Sequence, residues 1–250
     1  MRFRLFQCLL LAWLPVSITW AQTGSRLPEG TARQSSNSLL PDSPAPKVVS
    51  ADEHPPRIFW IIPTYKVTES KIPTRLTPRQ KLRIVVNDLT DPYTIGYTGL
   101  MAGIAQANND LAGYGQGAQG YFKRFGAGYA DQASAGFFGG FLFPSVLHQD
   151  PRYYRRGSGP FTHRFAHALI RPVTTYNDAG GRAFNWSGLL GSLAASGLSN
   201  AYYPEAERGV GKTFTRWSAG IPLSVVDHLI DEFGPDLEVV FFGHKNKAAR

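Results

Sequence analysis

The run His148-Gln149-Asp150-Pro151-Arg152-Tyr153-Tyr154-Arg155-Arg156 gathers the densest set of groups capable of chemistry. His148 and Asp150 are suited to moving protons, and Arg152, Arg155 or Arg156 to clamping an oxyanion, so the string reads as an anion or phosphoester site. The same residues have a structural reading. Asp150-Pro151 matches an N-cap followed by proline at the first helical position, with the arginines pairing nearby carboxylates. Downstream, Arg164, His167, Arg171 and Thr174 fall on one face of an expected helix, opposite Phe165, Ala168, Leu169 and Val173, with Asp178 just beyond. That stripe is either the solvated face of an amphipathic helix or the wall of a cleft facing His148, and burial of its side chains separates the two. The candidate polar cluster is thus His148, Asp150, Arg152, Arg164, His167 and Arg171.

His163 and His167 stand four apart, a spacing that lets two imidazoles reach one metal ion. Arg164 occupies the place where a metalloprotease carries Glu, and no third ligand announces itself among Asp178, Asp227, His228 and Asp231, so no metal site is expected. Ala206-Glu207-Arg208-Gly209-Val210-Gly211-Lys212-Thr213 matches a relaxed phosphate-loop formula, but no strand is expected before it; the match reads as coincidence, and no cofactor is expected. There is no Gly-x-Ser-x-Gly elbow and no prominent carboxylate pair for glycoside chemistry.

Helices must position these groups. Thr77-Pro78-Arg79-Gln80 supplies a capping box with proline at the first helical position, and Leu82, Val85, Val86 and Leu89 then recur on one face. Asp91-Pro92 repeats the device and starts a helix through about Ala107, on which Gly99, Gly103 and Ala107 form a flat stripe for a close-approaching backbone. Residues 116 to about 143 read as one long helix, because Gly120, Gly128, Gly136 and Gly140 share a four-residue row; Ala127, Ala135 and Gly139 share a second, and Gly126, Ala130 and Ser134 a third. Asn185 can cap a helix to about Asn200 with the row Ser187, Gly191, Ala195 and Ser199. Each helical Gly costs about 1 kcal/mol against Ala, and close helix contact is the compensation. Further helices are expected at 161–175 and at 212–233, the latter kinked or broken near Pro222. The run 237–242 (LEVVFF) is read as a short strand or buried tail.

The chain has 250 residues, 26 of them basic and 18 acidic, with 43% hydrophobic residues and a mean hydropathy of −0.19. That composition excludes an intrinsically disordered chain and a many-pass transporter. Residues 1–21 read as a signal peptide cleaved after Ala21, with Arg2 and Arg4 before a short apolar run. Its removal takes the sole Cys, Cys8, and lowers the net charge from +8 to +6, because two of the 26 basic side chains leave and no acidic one does. An exported positive protein meets anionic lipid or other envelope components, not nucleic acid, unless the charge serves solubility alone. Residues 22–56 read as a disordered linker, 57–76 as an extended segment, 77–233 as helices and 234–250 as a tail.

The expected fold class is all-α, a Gly-rich compact helical bundle after signal peptide and linker. Small-residue rows also suit an intramembrane bundle, against which stand Lys123, Arg124, Asp131 and Gln132 midway along 116–143. A β-barrel is disfavoured by the lack of period-two alternation. Gly113-Tyr114-Gly115-Gln116-Gly117-Ala118, the string His148 to Tyr154, and Asn200-Ala201-Tyr202-Tyr203-Pro204 together resemble a family of signal-peptide-bearing bacterial proteins. The resemblance covers about 60–233, implies a shared fold and export, and carries no activity. The expected function is a structural or binding role at a membrane surface of the cell envelope, located in the periplasm or at the outer membrane. The rivals are an envelope hydrolase acting on a phosphorylated or lipid substrate, and an integral helical bundle.

Overall fold

Helix starts in this chain are set by side chains that satisfy the first free N–H groups. Thr77 Oγ1 accepts from the Gln80 N–H at 3.3 Å while Gln80 Oε1 accepts from the Thr77 N–H at 2.8 Å, opening α1 (Pro78–Thr90). Asp91 accepts from the Tyr93 N–H and opens α2 (Pro92–Ala107), and Asn185 accepts from the Gly188 N–H and opens α6 (Trp186–Leu198). Asp91 also takes Arg57 at 2.6 Å and the Tyr65 hydroxyl at 3.0 Å, which ties the leading extended segment to the bundle. That segment holds a hairpin of β1 (Arg57–Ile58) and β2 (Ile62–Pro63), followed by β3 (Val67–Thr68).

The computed structural model describes residues 56–70 and 73–243, all within one unit spanning 51–250. The expected signal peptide and all of the expected linker but Pro56 lie outside the described residues. The fold is mostly α, a Gly-rich helical bundle with few short strands. No helix among the described residues is long and apolar enough to cross a membrane.

The centre of the bundle is the long segment expected at 116–143. It runs as α3 (Gly117–Ala135), a π-helical stretch (Gly136–Leu142) and α4 (Phe143–Val146) without leaving helical conformation. Pro144 offers no N–H to the Gly140 carbonyl and crowds it, and in the stretch just before it the Phe143 N–H bonds Phe138, five residues back. The glycine rows act as expected over their second half, whereas Gly120 packs on Gly115 of the preceding loop and a Cβ on Gly126 would meet nothing within 4 Å. A Cβ on Gly136 or Gly140 would run into Val85 of α1, at 2.9 and 2.8 Å, and Gly139 faces Gly191 of α6 backbone to backbone. On α6 the row Ser187, Gly191, Ala195 and Ser199 is buried throughout. The Gly99–Gly103 stripe differs, because the Tyr121 ring, not a backbone, lies over it.

Other elements correct the sequence reading. On α1 the buried pair is Lys81 and Val85, whereas Leu82 and Val86 are exposed. Lys81 is 1% exposed because its ammonium donates to the carbonyls of Pro144 (3.0 Å) and Gln149 (2.8 Å) and meets Asp178 at 3.1 Å, so the charge is fully satisfied inside. No helix starts at Pro151: β4 (Gln149–Asp150) and β5 (Tyr153–Tyr154) occupy that stretch, β5 parallel to β3 and β4 antiparallel to β6 (Thr174–Asn177), which pairs onward with β7 (Arg182–Phe184). Helix α5 spans Phe161–Ile170 and stops before Thr174, which enters β6. Helix α7 (Val210–Phe242) continues through Pro222 and Pro235, so 237–242 is neither strand nor buried tail. Its last turns satisfy their backbone locally and leave Val240 and Phe241 exposed.

Candidate functional site

Burial separates the two readings of the α5 stripe: Arg164 and Arg171 are buried and Phe165 and Leu169 are exposed. Ala168 stays fully buried, and the two arginines are drawn in by different acceptors: Arg171 by the carbonyls of Thr174 and Arg152, Arg164 by a carboxylate on α7. Glu232 is 0% exposed and accepts from Arg164 Nε (2.8 Å), the Tyr153 hydroxyl (2.9 Å) and the N–H groups of Arg156 (3.0 Å) and Gly157 (3.1 Å). Its carbonyl takes Arg155 Nε and Arg164 Nη2, while Asp236 binds both arginines at 2.7 and 2.6 Å. Burial alone would raise the Glu232 pKa; Arg164, the Arg156 and Gly157 N–H groups and Tyr153 more than reverse this, holding it below the usual carboxylate range.

A second cluster sits on the short strands. Asp150 accepts from the N–H of Arg152, from its guanidinium at 2.7 Å, and from the Tyr154 hydroxyl at 2.6 Å. It thus serves as an intrastrand anchor in place of the expected helix cap. Arg171 donates to the carbonyls of Thr174 and Arg152, and burial lowers its pKa. His167 Nε2 donates to the Tyr154 carbonyl at 2.9 Å, and burial lowers its pKa against that hydrogen bond. The six candidate residues therefore divide. Asp150, Arg152 and Arg171 share one network, Arg164 belongs to Glu232, and His167 lies between. His148 stands apart, its side chain 71% exposed, its backbone left-handed (φ 52°), and its Nδ1 3.7 Å from Asp178.

Among the described residues no group of three His, Cys, Asp or Glu side chains is placed to hold a metal ion. His163 is exposed while His167 is committed to Tyr154, so the pair does not converge. At 206–213 a 3-10 turn, Glu205–Glu207, precedes α7, with no strand before it, and Lys212 pairs with Glu207 at 2.8 Å.

The open volume lies elsewhere. A groove of about 800 Å³ runs between α2, α3, α6 and α7, walled by small residues such as Ala102, Gly128, Gly188 and Gly220. None of the six candidate residues lines it. Its polar lining includes Arg124, Asp131, Arg216 and His228. Asp131 accepts from the hydroxyls of Tyr202 and Tyr203, both at 2.6 Å, and burial raises its pKa despite them. His228 stacks on Tyr153 with ring centroids 5.1 Å apart; burial, with Arg171 and His167 adding to it, pushes its pKa down to about 4, and its Nδ1 is buried without a partner. No sequence signal marked Glu232 or Lys81, because their partners lie far away in the chain. Of the groove-lining glycines only Gly128 was visible as a helix contact, and none as part of a void.

With this geometry in hand, no family model, curated protein or solved structure matches the chain.

Proposed function

We propose that this is an exported protein of the cell envelope, periplasmic or outer-membrane-associated, with a structural or binding role at a membrane surface. The observation that carries this reading is an apolar knob made by the β1–β2 turn and the end of α7. The turn between β1 and β2 puts Trp60 and Ile61 at 55% and 61% exposure, and the last turn of α7 adds Val240 and Phe241 at 76% and 71%. Trp60 packs edge-on against Phe242, with centroids 5.1 Å apart. Phe59 and Trp60 both have left-handed backbone, φ 53° and 57°, in a hairpin turn that ordinarily takes Asn-Gly; such strain costs about 1–3 kcal/mol per residue. A chain that holds a Trp outward at that cost presents an interfacial anchor. The sequence beyond Gly243 adds Lys245, Lys247 and Arg250, cations suited to anionic headgroups. The signal-like residues 1–21 and the resemblance to exported bacterial proteins support the compartment.

The hydrolase reading needs the six polar residues around one opening, and their division between closed networks leaves it without support of that kind. The test is sedimentation of the full chain with phosphatidylglycerol vesicles against neutral phosphatidylcholine vesicles. Binding to the anionic vesicles is expected, with at least a fivefold loss on combining Trp60→Ser with Phe241→Ser at unchanged helical content. Equal sedimentation of this variant would overturn the reading.

A further inference from the structure

The groove between α2, α3, α6 and α7 has the volume of a small-molecule site, which typically spans about 300–1,000 Å³. Counting a methylene as roughly the ~30 Å³ that a water occupies in the liquid, it holds about 25 such groups, enough for one acyl chain and its head but not for a two-chain glycerolipid. Ala127, Gly128 and Ala135 on α3, Ala195 on α6 and Ala219 and Gly220 on α7 open its apolar wall, which larger side chains such as Met101, Leu189 and Ile221 complete.

The charges that line it are unbalanced. Arg124 donates only to the carbonyls of Asp110, Leu111 and Gly115 and to Gln106 Oε1. Arg216 donates only to the carbonyls of Glu207 and Ser196 and to Asn200 Oδ1, and lies over the Tyr203 ring at 4.8 Å. Neither guanidinium has a carboxylate partner among the described residues, and Arg216 Nε, shut off from solvent, has no acceptor. The single carboxyl among these groups, Asp131, is already held by two tyrosine hydroxyls. Arg124 is buried and Arg216 half-buried, and the one carboxyl near them, Asp131, acts on Arg216 without a direct ion pair; cations out of water are ordinarily paired, so two arginines against one engaged carboxyl leave room for one further negative charge.

We infer that the groove binds a single-chain anionic amphiphile, a long-chain fatty carboxylate, with its chain along the alanine and glycine wall and its carboxylate drawn by Arg216 and Arg124. This goes beyond the membrane-surface reading and does not depend on it, since the groove and the Trp60 knob share no residue. Binding here is a one-molecule event in solution, not adsorption to a bilayer.

The experiment is calorimetric titration of the delipidated full chain with sodium oleate below its micellar concentration, with oleyl alcohol as the uncharged comparison. Saturable one-to-one binding of oleate is expected, at least tenfold tighter than the alcohol. Gly220→Leu is the blocking variant: a Cβ there meets nothing within 4 Å, so the fold accepts it, while the larger side chain fills the groove. It should weaken oleate at least tenfold with helical content and melting midpoint preserved. Arg216→Gln should weaken oleate and leave the alcohol unchanged. The inference is overturned if oleate shows no saturable binding, if Gly220→Leu binds it as the parent does, or if the parent is a dimer that Gly220→Leu splits, which would make a second copy the occupant. The Trp60→Ser, Phe241→Ser variant should bind oleate normally, so failure of one reading leaves the other standing.

Discussion

The two polar regions of this protein are built on opposite terms. Around Glu232 the charges are paired: Arg164, Arg155 and Asp236 close a network with Glu232, Tyr153 and the Arg156 and Gly157 N–H groups, and none of these residues lines the groove. The groove is instead walled by small residues such as Ala102, Gly128 and Gly220, and its charges, Arg124, Asp131 and Arg216, are held by neutral oxygens and hydroxyls beside a void, with Arg216 Nε left without an acceptor. The lesson is that charge density in the sequence marks the closed region, whereas the region shaped to receive something is marked by small residues.

The sharpest way to break this contrast is to unbalance the closed network. Glu232→Ala should cost about 3–5 kcal/mol, because it strands the buried Arg164 guanidinium, the Tyr153 hydroxyl and two N–H groups without an acceptor. Urea unfolding followed by circular dichroism measures it. A loss under 1 kcal/mol would mean that the network is not what fixes α5 on α7.

The seam between α6 and the π-helical stretch is probed by a smaller change. A Cβ on Gly191 would stand 2.6 Å from the Gly139 nitrogen, and that neighbour is backbone that cannot swing aside. Gly191→Ala should therefore destabilise by about 2 kcal/mol even after the gain in helix propensity. Gly197→Ala, on the same helix with nothing within 4 Å of its Cβ, should stabilise by up to about 1 kcal/mol. Equal effects at both positions would remove the case for close backbone approach.

Much of this bundle was legible in the sequence. The N-caps at Thr77, Asp91 and Asn185 are local chemistry, and the four-residue rows of 116–143 and 187–199 survive because a glycine contact imposes its own period. Three things were not legible. Burial of Arg164 and Arg171 inverts the apparent amphipathicity of α5, since their acceptors, Glu232 and the carbonyls of Thr174 and Arg152, are defined only by the fold. Asp150-Pro151 carries a helix-cap signature, but Asp150 finds a stronger use with Arg152 and Tyr154. LEVVFF has strand propensity, yet it stays helical because it continues a 33-residue helix whose ladder is already nucleated. Of the six candidate residues, Asp150, Arg164 and Arg171 are buried, Arg152 and His167 half-buried and His148 exposed, and the groove emerged only when four helices were assembled.

The boundary between the two regions carries its own signature, on one stretch of α7. His228 lines the groove and stacks on Tyr153 of the closed network; Asp231 follows three residues later, its pKa pushed up to about 7 by burial first and by Asp227 second, with Asp88 and Glu232 adding to this and Lys66 opposing. Their linkages have opposite sign. His228 titrates near 4 when folded and near 6.5 when unfolded, so the unfolded chain binds more protons between those values and stability rises with pH. Asp231 titrates near 7 when folded and near 3.8 when unfolded, so the folded chain binds more protons and stability falls as pH rises through the same window. Together they should leave the pair's contribution nearly flat from pH 4 to 6.5. Asp231→Asn keeps the shape without the charge and uncovers the histidine, so the urea midpoint should climb across that interval by the equivalent of about 2–3 kcal/mol. In the parent, the aspartate alone should give a slight decline between pH 6.5 and 7.5. A variant that stays as flat as the parent would show that His228 is not held neutral by burial, and that water reaches it from the groove.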